Sequence, residues 1–131
     1  MRIDGESGWV ELLQRDDEEA FDVRCSVGDF AGRNARIWID ASEQRRFLAA
    51  LRALERDRRG EARLAAMSPQ DFELTVRIVD ALGHVGVAGT VGRHQEAGRG
   101  YDRLAFTFSF TVDPTRLPTL VQDMADLVEA A

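Results

Sequence analysis

The sequence has no lysine, one cysteine and no long apolar run, and each absence excludes a class of protein. All 17 basic residues are arginine, which matches the residue bias of GC-rich bacterial genomes. A lone Cys25 excludes an internal disulfide framework and fits a reducing compartment. The apolar runs are far shorter than a membrane span, and residues 1–10 lack the apolar core of a secretory signal. We therefore expect a cytoplasmic protein with no membrane partner.

The balance of apolar and charged residues is that of a folded domain. Hydrophobic residues make up 44% of the 131 residues and charged residues 31%, so we predict a single domain over residues 1–131. The net charge is −6, and acids outnumber arginines in residues 1–40 and 61–131, whereas arginines outnumber acids in 41–60. Nucleic acid is therefore not an expected partner, because its phosphates would be repelled at long range. An acidic surface suits a basic protein partner.

A two-residue alternation identifies most of the strands. The clearest case is "LAFTFSFTV" at residues 104–112, where large apolar residues alternate with small or polar ones, the pattern of a half-buried strand. "FELTVRIVD" at 72–80 repeats the pattern, and so does the segment at 21–27, which places Cys25 on its inner face. Further strands are predicted at 35–39, with Trp38 on the outer side, and at "WVELLQ", "EARLAAM" and the glycine-rich segment.

Two helices interrupt the strands. The first is predicted to begin near Asp40 or Ser42, with Glu43 in a capping-box-like spacing, and to stop at Gly60. The second is predicted to open at "DPTRLP", capped by Asp113 or Thr115, and to continue to the end of the chain. The resulting order is β-β-β-α-β-β-β-β-α. Short links between consecutive strands predict an α+β fold with one curved antiparallel sheet of six to seven strands and both helices on one face.

The stretch "LGHVGVAGTVGRHQEAGRG" at 82–100 holds six of the eleven glycines. A phosphate-binding loop needs its glycines between a strand and a helix N-terminus, and no helix follows here. The segment is instead predicted to be a strand that follows "FELTVRIVD" through the turn "DALGH", with "RHQEAGRG" as a loop into the next strand. The small residues indicate sheet curvature or cover by a neighbouring aromatic ring, and the alternative is a flat face for a partner.

No set of residues converges on a catalytic or metal site. His84 and His94 are ten residues apart, about 33 Å along a strand, so they cannot share a metal ion unless the strand is broken. Cys25 has the position of a small core residue, and no serine lies in a nucleophile elbow. We therefore predict no catalytic residue, no cofactor, no metal site and no enzymatic activity.

Charged clusters are the remaining candidates. Asp16, Asp17, Glu18 and Glu19 form an acidic run at a predicted hairpin tip, which fits either a solvated turn or a contact with a basic partner. The first helix carries a stripe of arginines and the second helix carries a stripe of acids. Both stripes are predicted to point away from the core. A monomer is predicted, and a homodimer joined through these stripes is the alternative. The stripes consist of Arg45, Arg52, Arg56 and Arg59, and of Asp123, Asp126 and Glu129.

Residues 60–127 resemble WapI-type bacterial immunity proteins and their uncharacterised relatives. The resemblance lies in a strand of the "FELTVRIVD" type, the "GHVGV" turn and strand, and a phenylalanine-rich strand that leads through "DPTRL" into a final helix. It implies a cytoplasmic antitoxin that binds and neutralises a secreted or contact-delivered toxin, often a nuclease. It assigns no functional residue to this chain, because those motifs are structural.

Two functions from different classes follow. The first is a non-enzymatic binding protein that occludes a basic toxin domain with an acidic surface, in which Asp16, Asp17, Glu18 and Glu19 take part. The alternative is a small-molecule-binding or enzymatic domain, which would need a sizeable cavity between the sheet and the helices.

Overall fold

A computed structural model describes residues 1–15 and 20–129 of the chain. The described elements alternate in the order predicted, with one additional short strand at the N-terminal end. They are β1 (Arg2–Asp4), β2 (Gly8–Gln14), β3 (Ala20–Val27), β4 (Phe30–Trp38), α1 (Ala41–Asp57), β5 (Glu61–Ala65), β6 (Phe72–Ile78), β7 (Val85–Ala97), β8 (Gly100–Val112), a 3₁₀ turn (Pro114–Arg116) and α2 (Leu117–Glu129).

The strands form two antiparallel sheets of four, in the orders β1-β2-β3-β4 and β5-β6-β7-β8. The α+β class is confirmed, but the predicted single sheet of six to seven strands is wrong. Alternation along a strand shows which face is buried and not which sheet the strand joins. The break falls at α1, the one long connection, because a helix between two strands removes the constraint that they pair with each other.

The two sheets and two helices enclose one continuous apolar core. β8 contacts β2, β3 and β4 in turn, so it runs across the first sheet. α1 packs on β5, β6 and α2, and α2 also reaches β1, so the helices connect the β5 edge of one sheet to the β1 edge of the other. Fully buried side chains from every layer meet there: Phe21, Phe47, Phe72, Leu12, Ile37, Ile39, Leu51, Leu54, Leu64, Leu74, Leu117 and Met124.

The long hairpin of β7 and β8 departs most from the sequence prediction. "RHQEAGRG" is not a loop: β7 continues to Ala97 and β8 starts at Gly100, joined by a two-residue turn. Gly98 has a φ of 59°, the left-handed value that such turns require of their first residue. Because β6 begins at Phe72, opposite Val91, residues 93–103 extend past it as a two-stranded arm. Both faces of the arm are exposed, so apolar and polar residues do not alternate along it, and the sequence pattern does not reveal its strands.

The ends of the two helices differ from the prediction in two details. Asp40 is the N-cap of α1 but its side chain makes no capping bond, and the Glu43 carboxylate accepts from the Ala65 backbone N–H at 3.1 Å. The helix ends at Asp57, and its C-cap is Arg58, which takes the left-handed conformation with its N–H bonded to the Leu54 carbonyl. Gly60, the predicted stop, also has a positive φ, of 88°, but lies two residues beyond the cap. Asp113, one of the two predicted caps of the second helix, caps the 3₁₀ turn that leads into α2, and its carboxylate accepts from Thr115 N at 2.9 Å.

Candidate functional site

The acidic run Asp16, Asp17, Glu18 and Glu19 lies outside the described residues. Its two neighbours in the chain are close together, since Arg15 N donates to the Ala20 carbonyl at 2.9 Å. The predicted position of the four acids at a hairpin tip and their part in binding stay predictions.

A second group of acids lies between β2 and α2. Glu11, Asp123 and Asp126 border a shallow groove of about 440 Å³ between β1, β2 and α2. Two residues of the acidic stripe predicted on the second helix, Asp123 and Asp126, thus line a groove with β2. Arg2 at its margin pairs with Asp4 at 2.9 Å and with Glu11 at 3.6 Å, and its guanidinium lies 4.3 Å from the centre of the Trp9 ring. The groove therefore carries more negative than positive charge among its described residues.

The outer face of the first sheet holds a buried carboxylate that the sequence analysis missed. Asp22 on β3 accepts from Arg33 Nε at 3.1 Å and Nη2 at 2.9 Å, and from Arg24 Nη2 at 3.0 Å. The bonds from Arg33, and then those from Arg24, lower the pKa of Asp22 from 3.8 to about 2, against burial, which raises it. One carboxylate between two guanidiniums leaves a net positive charge, and only the register of β3 on β4 brings the three together.

The glycines of β7 are explained by close packing. A Cβ on Gly89 would lie 2.4 Å from the Glu73 carbonyl oxygen and 2.8 Å from the Phe108 ring. A Cβ on Gly86 would lie 2.5 Å from a Val79 methyl group. The predicted cover by a neighbouring aromatic ring is therefore confirmed at Gly89, and glycine is needed there because the strand has no room for a side chain.

The two histidines have separate surroundings. His84 Nδ1 lies 2.7 Å from an Asp80 carboxylate oxygen in the β6–β7 turn, and this hydrogen bond lowers the pKa of Asp80. His94 lies on the arm, where its ring meets Tyr101 edge to face at 6.3 Å. Across residues 1–15 and 20–129, no three His, Cys, Asp or Glu side chains are arranged to hold a metal ion.

Cys25 is buried on the inner face of β3, as predicted. Burial raises the pKa of its thiol from 9.0 to about 11, so the thiol is protonated at neutral pH and is a poor nucleophile.

The structure also shows how much space is available for a small ligand between the sheets and the helices. The cavity between β1, the start of β7 and α2 holds about 30 Å³, room for about one water molecule. Two other hollows, one beside β7 and β8 and one at the base of the arm, are open grooves on the surface. Neither helix, within the residues that the structure describes, is long and apolar enough to cross a membrane.

Sequence comparison supplies the family. The model of the immunity protein WapI-like family matches residues 8–131, nearly the whole chain. The chain belongs to this family. The match extends the resemblance seen at residues 60–127 to β2, β3, β4 and α1. A search of curated proteins finds no match.

Among solved structures, the chain is similar to one from the CdiA-CT/CdiI toxin and immunity complex of Enterobacter cloacae. The identity is 13%, and the alignment covers 100% of this chain and 99% of that one, with a TM-score of 0.38. At that TM-score the likeness carries no argument about this chain.

Proposed function

We propose that this protein is an immunity protein, which binds a toxin domain and blocks its activity. The observation that carries the proposal is the family match over residues 8–131. The structure is compatible with occlusion by a folded surface, since the space between its sheets and helices is filled by side chains.

The acidic end of the molecule is the surface we propose for the toxin. Glu11, Asp123 and Asp126 lie around one groove, and the chain carries a further four consecutive acids between Arg15 and Ala20. A basic toxin, such as a domain that cleaves nucleic acid, would be attracted to this charge before contact. Attraction of this kind speeds association and weakens with salt.

Growth protection tests the proposed role. The toxin domain encoded beside this gene is produced in a bacterial host with and without the present chain. Rescue of growth, together with a purified complex of the two proteins, is the expected result. Unprotected growth and no complex with that domain would contradict the proposal.

Association kinetics test the acidic surface separately. Replacing residues 16–19 by serine is expected to slow association with the toxin by about tenfold at low ionic strength. The matched control replaces four exposed acids elsewhere, Asp29, Glu61, Glu96 and Asp102, and removes the same charge. If both variants associate at the same rate, the run has no specific role in the contact.

We further propose that the protein is a monomer before it meets its partner. The arginines of the α1 stripe are exposed, and none of them pairs with the α2 stripe among the described ion pairs. Exposed pairs between two copies would contribute about 0–1 kcal/mol each, too little to hold a dimer. Light scattering at low and high salt is expected to give the monomer mass, and a dimer mass at either salt would overturn this.

A further inference from the structure

The base of the β7–β8 arm borders a groove of about 490 Å³ that is separate from the acidic end of the molecule. One wall is the edge strand β4, at residues 31–33. The other wall is the β7–β8 hairpin at the base of the arm, at residues 91–93 of β7 and 104–106 of β8. The walls meet where Asn34 Nδ2 donates to the Gly92 carbonyl at 2.7 Å, and where Gly32 packs on Phe106, so closely that a Cβ on Gly32 would lie 2.8 Å from the Phe106 Cβ.

Both walls offer backbone that no described strand covers. β4 pairs with β3 on one side only, and alternation along that ladder directs the N–H and C=O groups of Ala31 and Arg33 away from β3. Gly92 N donates to the Asp71 carbonyl, just where β6 begins. Beyond Gly92, the side of β7 that faced β6 has no strand beside it among the described residues. A sheet edge of this kind can accept an added strand.

The groove is both apolar and basic. Leu104 and Phe106 form its apolar part, and Leu104 is 45% exposed although it continues the inner face of β8. Its charged lining residues are Arg33 and Arg93, and no acid lines it among the described residues. Asp22 holds Arg33 in place but shares its one charge with Arg24, so a positive charge remains.

Arg93 has no ion-pair partner within the described part of the chain. Asp102 is on the same face, two residues nearer the tip than Leu104, and does not line the groove. A chain with a net charge of −6 therefore presents a local positive site beside exposed apolar side chains.

We propose that this groove binds an extended, acidic segment of a protein partner, which adds as a strand along the free edge of β4. A carboxylate of that segment pairs with Arg93, and apolar side chains of the segment pack on Leu104 and Phe106. Nucleic acid fits less well, because two arginines make no continuous track for a phosphate backbone. The inference does not depend on the toxin partner.

The test uses a fluorescein-labelled peptide of nine residues that alternates glutamate with valine or phenylalanine, and the intact protein. Saturable binding in fluorescence anisotropy is expected, with amide shifts in NMR concentrated at residues 31–33, 91–93 and 104–106. The same peptide with lysine in place of glutamate is expected to bind at least tenfold more weakly. Equal binding of the two peptides, or shifts elsewhere on the molecule, would overturn the proposal.

A charge reversal sharpens the test. Arg93→Glu is expected to weaken the glutamate peptide by about tenfold and to strengthen the lysine peptide. Arg77 is also exposed and lies on the outer face of β6, away from the groove. Arg77→Glu makes the same charge change and is expected to alter the binding of neither peptide. A nine-nucleotide oligothymidine is the third probe, and tighter binding of it than of the glutamate peptide would contradict a protein partner.

The outcome is distinguishable from that of the proposed function. If Arg93→Glu loses the peptide but still protects cells from the toxin, the groove binds a different partner and the immunity role stands. If the wild-type protein binds the peptide but protects against no toxin, the immunity role fails and the groove stands.

Discussion

The two halves of the chain share an order of elements and differ in their outer faces. Each is a four-stranded antiparallel sheet followed by a helix. The first sheet carries a buried carboxylate between two arginines on its outer face, at Asp22, Arg24 and Arg33. The second has small residues along β7 and β8 and an exposed ion pair between Arg63 and Glu73. The same architecture is thus stabilised by polar bonds on one sheet and by close backbone packing on the other.

The largest expected effect tests whether the halves are one folding unit. Phe21 in the first sheet and Phe72 in the second are both fully buried in the shared core. Replacing either by alanine is expected to lower the free energy of unfolding by about 3–5 kcal/mol, through lost burial and the cavity left behind.

Tryptophan fluorescence reports on the first sheet, because Trp9 and Trp38 both lie in it. In urea, Phe72→Ala is expected to shift the fluorescence midpoint as far as the circular dichroism midpoint. An unmoved fluorescence midpoint would show that the sheets unfold separately.

The next largest loss of stability is expected where the second sheet is closely packed around Gly89. Gly89→Ala is expected to cost about 1–3 kcal/mol, because the new Cβ would meet the Glu73 carbonyl and the Phe108 ring. Gly100→Ala is the matched control on the same hairpin: nothing lies within 4 Å of its added Cβ, so a change below about 0.5 kcal/mol is expected. Equal losses in thermal unfolding would show that sterics at Gly89 do not decide its identity.

On the first sheet, Asp22→Asn is expected to cost about 1–2 kcal/mol at pH 7, since two arginines lose a charged acceptor. The folded pKa of about 2 lies below the ordinary 3.8, so this stabilisation is complete above about pH 4 and is lost as pH falls towards 2. The difference between wild type and variant should therefore shrink across that window. A difference that is constant from pH 7 to pH 2 would exclude Asp22 as its source.

The smallest effect is expected at the exposed pair of the second sheet. Glu73→Gln should change the free energy of unfolding by about 1 kcal/mol or less, since both side chains are open to solvent and the attraction is screened. In 1 M salt this difference is expected to vanish, whereas that of Asp22→Asn should largely persist. A loss at Glu73 that matches the loss at Asp22 would remove the contrast between the two outer faces.

The sequence predicted the strands correctly where one face of the strand is buried and the other is exposed. Alternation placed Phe72 and Phe108 on inner faces and Cys25 in the core, because a half-buried strand must repeat every two residues. It failed at β1, three residues long, and on the arm, where both faces are exposed and polar residues carry no signal. The acidic run was visible as composition, but the acidic groove joins Glu11 and Asp123, which are more than a hundred residues apart in the chain.

The sequence by itself determined the order of the strands and helices, the inner face of each long strand, a cap at Asp113 or Thr115, and the family. These depend on local periodicity, turn chemistry and motifs, which neighbouring residues specify. Only the tertiary structure decided that the strands divide into two sheets, that Asp22 lies between Arg24 and Arg33, and that the arm leaves a basic groove beside β4. Those features depend on register and on contacts between distant segments, and the packing of the whole core selects them.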